Sequence, residues 1–406
     1  MTQDRVTELY IEGLRSIARL TLPLRGLTVL IGENGAGKST TLEACEILRR
    51  ATRSSFFEEL NAIHGGLFML LRDGSPELRL GMRVESSGEP LLSYHISVAQ
   101  TDLGHAQITG ELLELGPYPN QNTPLRLIQR GRNETKVYQP GGLQSVTVEP
   151  TQTVLAAAGL FSPHPGITRM RAALEKVELH LPFEVLPNWA ARAHDRRSAM
   201  RSPMLLQPAA RLERLGSNIA NAYHTLRMEF GEEHWRSTMD YVRLGLGDHV
   251  ESVNTRVDPG GAAIALWLKL KNRDRQIPAS ALADGTLTYL AFVALYRLRA
   301  NRTLFAFDEP DQHLHPALLG RVVSFFESMA DDSPVLLTTH SDRLLDGLHD
   351  PAASVRVCEL DDWDAGTRMR PLDSEALASW LEEYRGVGEL RSAGYLSSVV
   401  KPEEPA

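Results

Sequence analysis

A strand, a glycine turn and a helix have to follow one another where the chain reads Gly32-Glu33-Asn34-Gly35-Ala36-Gly37-Lys38-Ser39. The stretch matches G-x-x-x-x-G-K-[ST] at every fixed position. Residues 27–31 (LTVLI) are a short apolar, β-branched run of the kind that forms a buried strand. After Lys38, apolar residues return at helical spacing as Leu42, Cys45 and Leu48. The chemistry explains the pattern. Glycines let the backbone curl until its N–H groups face phosphate oxygens, and a helix N-terminus adds positive potential. Lys38 is positioned to reach β- and γ-phosphates, and Ser39 to hold Mg²⁺. Residues 32–40, through Thr40, are the candidate nucleotide cradle. ATP and Mg²⁺ are the expected ligands.

A second apolar run, residues 304–307 (LFAF), ends in Asp308-Glu309-Pro310. An Asp at the tip of a buried strand beside a phosphate loop can hold the Mg²⁺ shell, and the adjacent Glu can polarise a water as general base. Asp308 and Ser39 are therefore the candidate metal residues, and Glu309 the candidate base. A third run, residues 335–339 (VLLTT), ends in His340, which can bond a γ-phosphate. Residues 282–286 (LADGT) lead into a long apolar helix. Ala283, Asp284, Gly285 and Thr286 stand near its N-terminus, either as a further anion site or as a plain cap with Asp284 at the N-cap position.

The order of these motifs resembles the ABC-type ATPases of the RecF, SMC and OLD group, and within it a stand-alone bacterial AAA-domain family. Residues 9–17, with an Arg-Ser step, resemble the group's first strand. Residues 211–226, with Gly-Ser-Asn before a helix, and residues 308–316, with a Leu-His-Pro turn, are similar to family segments, as are residues near 381–390. The implied fold is α/β: a two-lobed P-loop ATPase head of ABC type. It would carry a helical lid insert and, since no heptad is sustained, no long coiled coil. The expected divisions are 1–154 for lobe I, 155–236 for the lid and 237–406 for lobe II. The resemblance also implies a homodimer or higher oligomer with two ATP molecules sandwiched between copies, each phosphate loop facing the other copy's Gly285 and Thr286. Two departures stand out. The group usually has Ser where this chain has Ala283, and no glutamine-loop residue can be singled out among Gln139, Gln144 and Gln152.

Composition narrows the setting. The chain has 406 residues, 42% of them hydrophobic, and only two cysteines, Cys45 and Cys358, so neither a disulfide framework nor a metal cluster is implied. No apolar run reaches membrane-spanning length and the start lacks a signal-like block, so a cytoplasmic location is expected. A formal net charge of −8 argues against gripping DNA by bulk charge, though a local patch could still do so. Arg192, His194, Arg196, Arg197 and Arg201 crowd beside Trp189, either a phosphate-gripping patch or a solvated loop. His313 and His315 diverge at i, i+2 and fit the Leu-His-Pro turn better than a metal site. An OLD-type nuclease domain has no room in the 66 residues after His340. The expected roles are DNA repair or defence against phage and mobile elements. The alternative is a scaffold or sensor that holds a partner nuclease or toxin from a neighbouring gene, and a transporter ATPase ranks last.

Overall fold

Short apolar runs with no polar alternation can be buried on both faces, as strands of a parallel sheet are, and three strands of the central sheet, Leu27–Gly32, Leu304–Asp308 and Val335–Thr338, are such runs. The computed structural model describes residues 3–101, 104–117, 123–160, 163–187 and 198–402. The described strands of the central sheet run in the order Val177–His180, Leu304–Asp308, Val335–Thr338, Leu27–Gly32, Val355–Glu359 and Arg368–Pro371. All neighbours are parallel except the last pair. Alternate residues feed two cores. Val29, Ile31, Phe305, Phe307, Val335 and Leu337 enter one. Leu30, Leu304, Ala306 and Leu336 enter the other.

Helix Lys38–Arg50 lies between the central sheet and an antiparallel sheet. Its Leu42, Ala44, Cys45, Ile47 and Leu48 are buried. Eight described strands form the antiparallel sheet, running from Ile17–Pro23 at one edge to Gly142–Ser145 at the other. The segment expected as one opening strand is two, Arg5–Leu14 and Ile17–Pro23, and the Arg-Ser step is the tight turn between them.

Helices Ile219–Met228, Asp284–Arg297 and Pro316–Asp332 pack with the antiparallel pair Val250–Val257 and Ala263–Leu270 in the core on the other side. Asp284–Arg297 is apolar on every side because it is enclosed: residues 287–295 are all buried. The stretch 155–236, expected as a helical lid, is woven into the rest. Helix Pro165–Glu175 packs on the Lys38–Arg50 helix, and strand Val177–His180 completes the sheet beside Leu304–Asp308. The strand was obscured because VELH is only four residues long and half polar. Its Glu178 is nonetheless buried, paired with His180 at 2.7 Å and Arg302 at 2.7 Å. Among the described residues the longest helix has 17 residues, and none is long and apolar enough to cross a membrane.

Candidate nucleotide site

In an open parallel sheet, loops at the carboxyl ends of the strands form the natural ligand crevice. The phosphate loop leaves the end of Leu27–Gly32, with its two sheet neighbours Val335–Thr338 and Val355–Glu359 on either side. Two glycines are required by close approach. A side chain at Gly32 would collide with the Cys358 carbonyl oxygen, and one at Gly37 (φ 90) would fall 2.7 Å from Thr367 Oγ1. Gly37 is also the N-cap of the Lys38–Arg50 helix. No side chain caps this helix and no acidic residue stands in its first turn, so its amides are left to an anion. Lys38 is buried, and its ammonium donates to the carbonyls of Gly32 and Glu33, both at 2.8 Å. Burial pulls its pKa below the usual lysine value, outweighing the nearby carboxylates of Glu309, Asp308 and Glu33.

Strand Val335–Thr338 sits between the loop strand and Leu304–Asp308, and this order assembles the site. Ser39 Oγ donates to Asp308 Oδ1 at 3.1 Å, so the two candidate metal residues meet although they lie far apart in the chain. Thr338 Oγ1 donates to the same carboxylate oxygen, and it accepts from the Glu309 amide at 3.1 Å. Glu309 takes a left-handed backbone (φ 49), costly for a residue with a side chain and common where function demands it. Gln312 Nε2 donates to Glu309 Oε2, while His340 Nε2 stands 3.9 Å from Glu309 Oε1. Arg391 Nη2 donates to the His340 carbonyl at 2.7 Å and pairs with Asp342 at 2.8 Å, tying the C-terminal segment to the end of the histidine strand. A cavity of about 620 Å³ is lined by Gly32, Glu33, Asn34, Ala36, His340 and Arg391, among others. Gly35 and Ser39 are exposed, and Thr40 is half-buried on the helix's first turn.

The sequence of residues 126–346, more than half of the chain, matches the family described as AAA domain, putative AbiEii toxin, Type IV TA system. The chain belongs to this AAA-domain family. A second AAA-domain family matches residues 8–48, which include the phosphate loop. No curated protein matches the chain. Among solved structures, an Smc head bound to the C-winged-helix domain of ScpA superposes with a TM-score of 0.54 at 12% identity, covering 91% of this chain and 99% of that one. The Pyrococcus furiosus Smc head with an extended coiled coil, bound to the C-terminal domain of ScpA, gives 0.54 at 13% identity, covering 94% and 99%. The fold is that of these Smc heads, a P-loop ATPase head of ABC type.

In this AAA-domain protein the structure brings Lys38, Ser39, Asp308, Glu309 and His340 together; the signature segment, residues 283–286, is not bonded to them. Among the described residues, no hydrogen bond or ion pair joins residues 283–286 to the loop, Asp308, Glu309 or His340. Ala283, not Asp284, is the N-cap; it is exposed, and no side chain caps the helix. The reading of Asp284 as a cap is therefore corrected: its carboxylate is turned to Arg201 instead. Gly285 lies close to the His313 carbonyl, and Thr286 is half-buried.

Arg201 also leaves the expected basic patch. Its side chain is 1% exposed, so it cannot grip a polymer. Trp189, Arg192, His194, Arg196 and Arg197 lie outside the described residues. Gln139 and Gln144 fall on strands at the far edge of the antiparallel sheet and Gln152 in the turn after them, and none bonds to the site among the described residues. His315 Nδ1 accepts from the Ala317 amide and caps the Pro316–Asp332 helix. Both cysteines are buried, and burial pushes each thiol up to about 12.

Thr338, Gln312, Arg391 and Arg201 were not assigned these roles from sequence. A hydroxyl at the end of the strand next to an Asp-Glu strand was a signal for Thr338. For Arg201 and Arg391 there was none, since their partners are remote in the chain.

Proposed function

We propose that the protein is an ATP-hydrolysing switch in which two ATP molecules are held between two copies of the chain. The observation that carries this reading is the Ser39–Asp308 hydrogen bond across the histidine strand, with Glu309 and His340 beside it. The residues suit Mg·ATP: a glycine loop packed too closely against Thr367 and Ser16 for a side chain at Gly37, a desolvated ammonium, and a hydroxyl and a carboxylate side by side. Bound Mg²⁺ would draw charge from the β- and γ-phosphates. The chain's own groups would do the rest. The loop amides and Lys38 hold and orient the phosphates. Asp308 and Ser39 hold the metal. Glu309, aimed by Gln312 and by its amide bonds to Thr338, takes a proton from the attacking water. His340 donates to the γ-phosphate. In the sandwich, the exposed signature segment 283–286 of the other copy closes each site. Measured turnover should require both ATP and Mg²⁺; hydrolysis that persists without added Mg²⁺ in a chelator would overturn the metal assignment.

The biological setting that fits best is defence against phage and mobile elements, or DNA repair. The family description, with its toxin and Type IV system, supports defence. A second reading, a scaffold or sensor that holds a partner nuclease or toxin with little DNA contact, draws on two observations. The net charge is −8, and the Smc heads of the same fold are bound to domains of ScpA. Salt-dependent DNA binding separates the two. If DNA is gripped there, replacing Arg192, Arg196 and Arg197 should flatten the log–log salt slope by about 0.7 to 0.9 for each phosphate no longer neutralised. No DNA binding by the unaltered protein favours the scaffold.

A further inference from the structure

The signature half-site has a problem of charge. The first helical residue after Ala283 is Asp284, whose side chain is 40% exposed. A carboxylate there favours the helix dipole, but it stands where a triphosphate from another copy would have to approach. Repulsion between like charges in a closing, water-poor interface is severe.

Arg201 answers this problem. Its guanidinium has five N–H donors in a rigid fork; three are spent on the short region from Ala279 to Asp284 and a fourth on Val185. Nε donates to the Val185 carbonyl at 2.9 Å. Nη1 donates to the carbonyls of Ala279 at 3.0 Å and Leu282 at 2.8 Å. Nη2 donates to Asp284 Oδ1. Ala279 and Leu282 frame the 3₁₀ turn that delivers the chain into the signature helix. A single buried side chain therefore fixes the turn, sets the direction of the helix and binds the one carboxylate in its first turn. The Ala283 side chain adds no donor, so backbone amides at Gly285 and Thr286 are what this end can present, and no side chain caps them.

We propose that Arg201 is a positioning residue for the signature: it neutralises Asp284 and locks the segment from Ala279 to Asp284, so that the helix N-terminus accepts the phosphate of ATP held by a second copy. The inference rests on the two-copy reading of the function. It assigns to Arg201 a role opposite to the one its basic neighbours suggested: the residue acts inward, through Asp284, and touches no ligand itself.

The test uses the full chain carrying Glu309→Gln, so that ATP is retained, with assembly followed by sedimentation. ATP affinity of the dilute single copy is measured alongside and stays unchanged throughout, because among the described residues Arg201 makes no hydrogen bond or ion pair to the phosphate loop. If Glu309→Gln does not assemble with ATP, the two-copy reading fails and the role of Arg201 falls with it. If it assembles, adding Arg201→Ala should weaken assembly about tenfold or more, and adding Asp284→Asn to that variant should recover most of the loss, a coupling of the size seen for contacting charged pairs. A merely structural arginine would not be rescued by removing its partner's charge, so a loss that Asp284→Asn leaves unchanged overturns the proposal. Undiminished assembly in Arg201→Ala overturns it while sparing the two-copy reading. Should Arg201→Ala fail to fold, Asp284→Asn alone decides. It leaves the three carbonyl bonds of Arg201 in place, and assembly should be as tight as before or tighter. An assembly weakened about tenfold by Asp284→Asn overturns the proposal.

Discussion

The phosphate-loop helix and the signature helix both begin without a side-chain cap, the same backbone device for binding an anion, yet they sit in opposite settings. Around Lys38–Arg50 the sheet gathers the groups proposed to hold and hydrolyse ATP. Lys38 lies across its loop, Ser39 meets Asp308, and Thr338 links Asp308 to Glu309. Around Asp284–Arg297 the only cation among the described hydrogen-bond and ion-pair partners of residues 283–286 is Arg201, and it is spent on the carboxylate of Asp284. On the proposed two-copy reading, the first helix opens the cradle and the second is a half-site whose remaining contacts would come from another copy. A shared backbone motif therefore does not set function. The charges that the tertiary structure places around it do.

The largest expected effect tests the complete side. Glu309→Gln should cut ATP turnover by about 10²- to 10⁴-fold, the range for loss of a general base, while ATP still binds. Lys38→Ala should instead weaken binding itself. Binding and turnover measured separately tell them apart, and wild-type turnover in Glu309→Gln would end the assignment of the base.

The sheet-built side also depends on the buried trio of Glu178, His180 and Arg302. Burial alone would raise the Glu178 carboxyl, but Arg302 and His180 hold it down at about 2. A carboxylate with a depressed folded pKa stabilises fully above its ordinary value near 4.5, and this contribution is lost as pH falls through about 2. Glu178→Gln should cost about 3–5 kcal/mol, the penalty for stranding a buried charge. In thermal melts it should also flatten the acid side of the stability profile within that window. A variant that melts with wild-type pH dependence would show that this network does not support the sheet.

On the half-site side, Ala283→Ser adds a hydroxyl donor toward a highly charged group. If well aligned it should tighten ATP-dependent assembly by about 1.5–3 kcal/mol. Sedimentation of Glu309→Gln with and without Ala283→Ser reads this directly. An ATP-independent mass in both proteins would remove the contrast between a complete site and a half-site.

The smallest effect sharpens the link between the acids. Thr338→Val keeps shape and removes the hydroxyl that serves Asp308 and the Glu309 amide. It should cost about 1 kcal/mol, roughly fivefold in turnover, with ATP affinity unchanged. An equal loss in affinity would place Thr338 in ground-state binding instead.

Much of this site was legible in the sequence because its parts are local. A glycine loop between an apolar run and a helical period, and an acidic pair after a second apolar run, carry their meaning within a few residues. Their meeting at Ser39 and Asp308 follows once both strands are parallel and share an end of one sheet. Strand Val177–His180 is not legible because burial of Glu178 depends on Arg302, a partner 124 residues away. Arg201 was misassigned for a similar reason. Arginine beside other arginines looks like a solvent-facing patch, and only the fold reveals that this one is enclosed by Val185, Ala279 and Leu282.

What the sequence determined by itself was the class of chemistry: backbone torsions at the loop glycines, apolar periodicity in the strands, and the identity of the acids next to them are short-range properties written residue by residue. Only the tertiary structure decided which strand lies between loop and acid, which hydroxyl joins Asp308 to Glu309, and which arginine faces inward to hold the signature. Those choices depend on contacts between segments distant along the chain. Their energy comes from burial and from pairing charges away from water, and neither exists until the sheets and helices have closed around them.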